Sequence, residues 1–267
     1  MFKRSVILQK CILITGSSKG LGNALGRRIV TDNKLKEKYT HLIIHGSSKT
    51  SLFDGLMAID KLNNENIKVS GFALDFSNPN DHCLEEYCVN NGKIETIKEH
   101  DSLKAMFKDN NLDEIILNHA MSKDSLIYNT KPKIVQSTFN VNIISYINIV
   151  SSLLNIWVKE NYKKPRERKI TTIGSILNQE EVLIKGNMVY AMTKRNVEML
   201  SDYLKLEYGE RFPWLQVEHY NVPFMMDTNL VTNKKLLEDF NIKKDTTGNV
   251  TNMIFHSTSL NLKNTNI

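Results

Sequence analysis

Short apolar runs alternate along the chain with segments whose apolar residues return every three or four positions. Cys11–Ile14 is a run of the first kind, ending at Thr15-Gly16, and predicts a strand buried on both faces. Beyond it, Leu21, Ala24, Leu25, Ile29 and Val30 keep helical spacing. His41–His45 predicts a second buried strand, Ser51–Asn63 a helix with Leu52, Leu56, Ile59 and Leu62 inward, and Lys68–Phe76 a third strand with Asp75 at its end. From Ser77 to His100 the period is lost. This stretch is polar, contains Pro79 and Asn90-Asn91-Gly92, and predicts an inserted surface excursion. Regularity returns with a helix at Leu103–Lys108 and a strand at Glu114–Leu117. A long helix then runs from about Lys133 to Glu160, with Val135, Phe139, Ile143, Tyr146, Ile147 and Val150 inward. Lys169–Ile173 predicts a strand, Asn187–Glu207 a helix and Leu215–Tyr220 a further strand.

Repeated β-α-β units of this kind specify an α/β fold, a doubly wound parallel sheet flanked by helices. Six strands are expected, because Thr251–Ile267 (TNMIFHSTSLNLKNTNI) shows no convincing last one. No linker rich in Pro, Gly or Ser divides the chain. One domain over residues 1–267 is therefore expected, with an insertion at about 77–100 and an atypical C-terminal segment at about 241–267. No apolar run reaches the roughly 18 residues of a membrane span. Cys11, Cys83 and Cys88 have no C-x-x-C spacing, which argues against a disulfide framework and a zinc site. The first acidic residue is Asp32, after Lys3, Arg4, Lys10, Lys19, Arg27 and Arg28. An acid-poor start points to the mitochondrial matrix, with the cytoplasm as the alternative, although folded sequence from about Lys10 leaves little room for a leader.

Between the first strand and the first helix lies Thr15-Gly16-Ser17-Ser18-Lys19-Gly20-Leu21-Gly22. Glycines there let the backbone turn sharply and approach a pyrophosphate, whose charge then faces the helix N-terminus. The context defines a Rossmann-type dinucleotide site. An NAD site commonly ends its second strand with an acid that holds the ribose 2′-hydroxyl. Here the strand ends His45-Gly46-Ser47-Ser48-Lys49. Ser47, Ser48 and Lys49, with Lys19 in the loop, are suited to a 2′-phosphate, so NADP(H) is the expected cofactor.

Tyr190-Ala191-Met192-Thr193-Lys194 places a phenol and an ammonium on one helix face. A free tyrosine titrates near ~10, and a neighbouring ammonium is expected to lower that value toward the working range. Ser175 ends the strand KITTIGS, where its hydroxyl can hold a substrate oxygen.

With these residues in place the chain resembles the short-chain dehydrogenase/reductase family from about Lys10 to Leu230. The resemblance implies a catalytic tetrad of Asn142, Ser175, Tyr190 and Lys194, with Asn142 holding a water of the proton relay. It implies cofactor contacts from Gly16 to Gly22 and from Asp75, Asn118, Ala120, Tyr190, Lys194, Pro223 and Thr228. Met121 and Phe224 stand where the family has glycines. Within the family the chain is most similar to fungal mitochondrial 3-oxoacyl-[acyl-carrier-protein] reductases, through the insertion after Leu74-Asp75-Phe76, the stretch Gly174-Ser175-Ile176-Leu177 and the short C-terminus.

That similarity implies NADPH-dependent reduction of a 3-oxoacyl thioester in fatty acid biosynthesis. It also implies an acidic acyl carrier protein as partner, for which the basic run Lys159–Lys169 (KENYKKPRERK) is a candidate docking patch. A reductase of another carbonyl would share every catalytic residue. A non-catalytic NADP-binding subunit is a different class, motivated by Met121, Phe224 and the altered C-terminus. Ile144, Ile149, Leu153, Ile156 and Trp157 exceed one inward stripe and predict a homodimer through the long helices.

Overall fold

Strand β1 (Lys10–Ile14) lies inside the sheet, with the other parallel strands laid down on either side of it. The computed structural model describes residues 10–64, 67–78, 84–178, 182–225 and 244–256. On one side of β1 come β2 (Tyr39–Gly46) and β3 (Lys68–Ala73). On the other come β6 (Glu114–Leu117), β7 (Arg168–Ile173) and β8 (Leu215–Tyr220). These six run parallel, and the chain reverses direction across the sheet between β1 and β6. Such a switch point opens a crevice at the C-terminal ends of the strands.

Alternate residues of the central strands enter two cores, which is why these strands read as unbroken apolar runs. Leu13 and Ile43 join Phe107, Leu153 and Trp157 on one face. Ile12, Ile14, Leu42 and Ile44 join Leu25, Leu56 and Ile59 on the other. The second face is covered by α1 (Gly20–Thr31) and α3 (Lys49–Asp60). The first is covered by α4 (Leu103–Asp109), α6 (Ser145–Lys163) and α7 (Met188–Tyr208). Asp32 caps the short α2 (Asn33–Lys38) by accepting from the backbone N of Lys34 and Leu35. A two-residue pair, β9 (Phe224–Met225) with β10 (Lys244–Asp245), precedes α8 (Thr247–His256), which packs on α1. Residues 257–267, where the last family strand was sought, lie outside the described residues.

The polar stretch after β3 is not a surface excursion. It forms an antiparallel hairpin, β4 (Leu84–Asn90) and β5 (Lys93–His100), added to the edge of β3. The sheet is therefore mixed and eight-stranded rather than six-stranded. Asn91 and Gly92 make the turn with φ of +49° and +72°, the two successive left-handed residues of a type I′ hairpin. The alternation was hidden because two of its buried positions are polar. Glu86 accepts from Ser70 Oγ at 2.5 Å and, on its other oxygen, from His100 Nε2 at 3.0 Å and Asn110 Nδ2 at 3.1 Å.

The long helix spans Pro132–Lys163 and is long and apolar enough by composition to cross a membrane, yet more than half of that apolar window is buried in the fold. It comprises α5 (Pro132–Phe139), a π-helical turn at Asn140–Ile144, and α6. Its face differs from the sequence expectation. Ile147 is 49% exposed, whereas Ile149, Leu153, Ile156 and Trp157 are buried in the chain's own core and only Ile144 of the expected dimer face is exposed. The cause is packing on two flanks, by the sheet and by α4, which widens the apolar face of α6. Helix α3 begins and ends earlier than the periodicity implied, so Leu62 lies past its end and is exposed.

Candidate active site

The glycine loop joins β1 to α1 at the crevice. Gly16 and Gly20 take φ of +61° and +59°. A Cβ on Gly16 would stand 2.6 Å from His119 Cα, and one on Gly22 2.4 Å from Gly16 O. Helix α1 starts with no side-chain cap on Lys19 and no acid in its first turn. Its first amides are thus left for an anion, and the loop fits a pyrophosphate.

Several residues assigned to the cofactor use their side chains to brace this loop. Ser17 Oγ donates to Ile14 O at 2.6 Å and accepts from His45 N at 2.9 Å. Asn118 Nδ2 donates to Thr15 O and Gly16 O, each at 3.1 Å. Leu21 is buried in the core. His45, which sequence reasoning passed over, accepts from Gly16 N at 2.9 Å through Nδ1 and donates from Nε2 to Leu74 O at 2.8 Å. Burial holds its pKa down to about 4, the neutral form that this pairing needs. His119 bridges Thr15 Oγ1 and Ser145 Oγ, both at 2.7 Å, and burial pushes its pKa far down too. A polar residue at the buried end of an apolar strand was the available signal for His45. Ser18 and Lys19 remain accessible, and Ala120 packs beside Tyr190. Asp75 is exposed just past β3 and accepts from Ser77 N at 2.9 Å.

At the end of β2, Ser47 and Ser48 are exposed, and Ser48 caps α3 through Ser51 N at 3.3 Å. Lys49 is not free, as the sequence suggested. Its ammonium is paired with Glu85 of the inserted hairpin. A carboxylate therefore does stand near this strand end, brought by another element.

Ser175 follows β7, while Tyr190 and Lys194 sit in the first two turns of α7; all three are buried. The Ser175 hydroxyl lies close enough to the Tyr190 phenol to favour its ionised form, and it accepts from Leu177 N at 3.2 Å. Lys194 Nζ donates to Ile173 O at 2.8 Å and lies 5.8 Å from the Tyr190 ring centroid. Burial pushes the Tyr190 phenol above its ordinary value, with Ser175 partly opposing. This is opposite to the expected lowering by Lys194. The reason is that burial dominates at the phenol, while Lys194, itself brought down to about 7 by burial, points its Nζ at the Ile173 carbonyl. Asn142 uses its side chain on Met121 and Thr193, donating to Thr193 Oγ1 at 2.9 Å. Phe224 packs with Leu177, Ile184 and Tyr190. Pro223 is buried next to it, and Thr228 lies outside the described residues.

Half of the basic residues in the run at 159–169 are paired within the fold, while Lys159, Lys163 and Lys164 are exposed, and the run lies away from this edge. Arg168 is 1% exposed and paired with Asp113 and Glu160; Arg166 also pairs with Asp113, and Lys169 with Glu218. Lys169 and Ser175 are at opposite ends of β7, roughly 20 Å apart at the rise of an extended strand.

Residues 89–237, more than half of the chain, match the family described as short chain dehydrogenase. The chain belongs to that family, whose members are oxidoreductases using NAD(P)(H). It is 28% identical over 170 residues to the 3-oxoacyl-[acyl-carrier-protein] reductase FabG of Buchnera aphidicola subsp. Baizongia pistaciae, a match covering 63% of this chain and 56% of that relative. The fold is similar to that of a short-chain dehydrogenase from Sphingobium yanoikuyae in complex with NADPH, with TM-score 0.69, 16% identity and coverage of 94% and 84%. It is likewise similar to the 3-ketoacyl-(acyl-carrier-protein) reductase from Brucella melitensis complexed with NADH, with TM-score 0.67, 18% identity and coverage of 92% and 89%.

Proposed function

We propose that the chain, as one nucleotide-binding domain, is an NADPH-dependent reductase of 3-oxoacyl thioesters carried on an acidic acyl carrier protein, of the fungal mitochondrial type. The observation that carries this is the Ser175–Tyr190 hydroxyl pair, with Lys194 buried behind it, beside a glycine loop whose helix is uncapped. The similarity to the Buchnera reductase supports the choice of substrate.

Ser18, Lys19 and Gly20 would hold the dinucleotide through backbone and first-turn amides, with Gly16 leaving room for its close approach. Bound NADPH supplies the hydride. Ser175 and Tyr190 direct two hydroxyls at the keto oxygen, and Tyr190 gives up its proton as negative charge grows there. The raised phenol pKa keeps Tyr190 protonated, the form a reduction requires. Lys194 is the group able to hold the ribose and return a proton to Tyr190, while Asn142 and Thr193 fix the helix that carries both.

An acidic carrier would meet the exposed Lys123, Lys131, Lys133 and Lys185 around the site mouth, where Ser125 N donates to Gly186 O at 2.9 Å between the two rim loops. The run at 159–169, with Lys159, Lys163 and Lys164 exposed, is the alternative patch, farther from the site. Mitochondrial location rests on the absence of acids before Asp32 and is tested by cell fractionation. For the reaction, NADPH oxidation is measured with acetoacetyl and longer 3-oxoacyl thioesters against simple ketones. Preference for the thioesters is expected; equal or better turnover of simple ketones would overturn the substrate assignment.

A further inference from the structure

We propose that Glu85, delivered by the inserted hairpin, sets how strongly this chain prefers a 2′-phosphorylated dinucleotide over an unphosphorylated one; this rests on the dinucleotide site described above. The sheet register places the residue. His45 and Gly46, the last residues of β2, lie beside Phe72 and Ala73 of β3, and Phe72 lies beside Glu86. Glu85 is one residue further toward the crevice edge, two strand spacings from β2 or about 10 Å. Lys49 bridges that gap from the start of α3 and pairs with its carboxylate.

The carboxylate is held, not loose. Tyr87 is buried beneath α3, its ring edge-on to Phe53 at 5.0 Å, and its hydroxyl donates to Glu85 Oε2 at 2.5 Å. Lys49 Nζ lies 5.4 Å from the same ring. The side chains of Lys49 and Glu85 are 60% and 34% exposed, so the pair can open to an arriving ligand with little loss. A 2′-phosphate would draw Lys49 off Glu85 but would then stand near a fixed negative charge. A ribose bearing only hydroxyls meets no such repulsion and can donate to the same carboxylate. Glu85 thereby does from β4 what the end of β2 does in an NAD site, and Lys49 opposes it.

Titration calorimetry of the full chain with 2′,5′-ADP and 5′-AMP, for wild type, Glu85→Gln and Lys49→Met, tests this. Glu85→Gln should tighten 2′,5′-ADP by about fivefold or more, the order expected for removing one unit charge a few ångströms away in a hydrated site, and leave 5′-AMP unchanged or weaker. Lys49→Met should weaken 2′,5′-ADP selectively. If the pair only pins the hairpin to α3, Glu85→Gln will lower the thermal midpoint and move both ligands equally or neither, which overturns the proposal. NADPH and NADH titrations separate the two levels. A wild type that binds neither dinucleotide removes both the site and the role of Glu85. Binding with an unmoved ligand ratio in Glu85→Gln removes only the latter.

Discussion

Asn142 clasps the backbone of Met121 from both sides, accepting from its N at 2.7 Å and donating to its O at 2.9 Å. Because only main-chain atoms are held, the side chain at 121 is free to differ from the family's glycine without disturbing the site. Truncating Asn142 to Ala leaves the half-buried Met121 amide without its acceptor and should cost about 1–3 kcal/mol. Met121→Gly, by contrast, should preserve this link. Urea unfolding of both variants checks the pair, and an Asn142→Ala loss below roughly 0.5 kcal/mol would contradict the bracing role.

Tyr190→Phe keeps the ring packed among Leu177, Ile184 and Phe224 but deletes the proton donor. Turnover should fall by at least about a hundredfold, the scale of general acid catalysis, while NADPH affinity by fluorescence changes little. Near-normal turnover would take Tyr190 out of the reaction.

Lys194 carries a pH signature in the cofactor-free protein. Burial depresses its folded value to about 7, below the usual 10.5. Between these values the unfolded chain binds the proton and the folded one does not. Its contribution to stability is therefore full above about pH 10.5, and is lost as pH falls toward 7. Relative to Lys194→Met, wild type should become more stable as pH rises from 7 to 9, by up to about 1.4 kcal/mol per pH unit. Parallel pH profiles of the two proteins would refute a depressed lysine.

The hairpin turn is testable in isolation from packing. A Cβ on Gly92 meets nothing within 4 Å, but the residue's φ is +72°. Gly92→Ala should destabilise by about 1 kcal/mol through backbone strain alone, and Gly92→Asn by less. A neutral alanine, read by chemical denaturation, would mean that the turn relaxes.

A homodimer, if formed through the long helices, must use a different face from the one the sequence suggested. Met188, Met192, Met199, Tyr203 and Leu206 form an exposed stripe on α7, and Ile144 and Ile147 are exposed on the long helix before it. We expect Met199→Glu with Leu206→Glu to convert a dimer to a monomer in light scattering at micromolar protein. A monomeric wild type would dispose of the dimer.

The parallel strands were legible because burial on both faces leaves nothing but apolar residues in Ile12–Ile14 or Leu42–Ile44. The glycine loop and the Tyr190–Lys194 spacing were legible because they are local. Long-range pairing was not. Nothing near Glu86 or His100 in sequence announces that each is the other's buried partner, and nothing near Lys49 announces Glu85. Asn91-Gly92 is a hairpin signal, but the stretch reads as a surface excursion because its flanking strands are polar on the exposed side and satisfied by hydrogen bonds on the buried one. The direction of Lys194 depends on the carbonyl of Ile173, which helical spacing does not encode.

The hairpin also decides what the sheet can do to its neighbours. Without it, β3 would present an open row of backbone donors and acceptors along Val69–Ala73, a template for strand addition by another molecule. Instead the outermost strand is β5, which exposes Lys93, Glu95, Lys98 and Glu99. Charges of both signs on an edge strand discourage that pairing. The segment that enlarges the sheet thus also closes this edge of the folded protein to strand addition by other molecules.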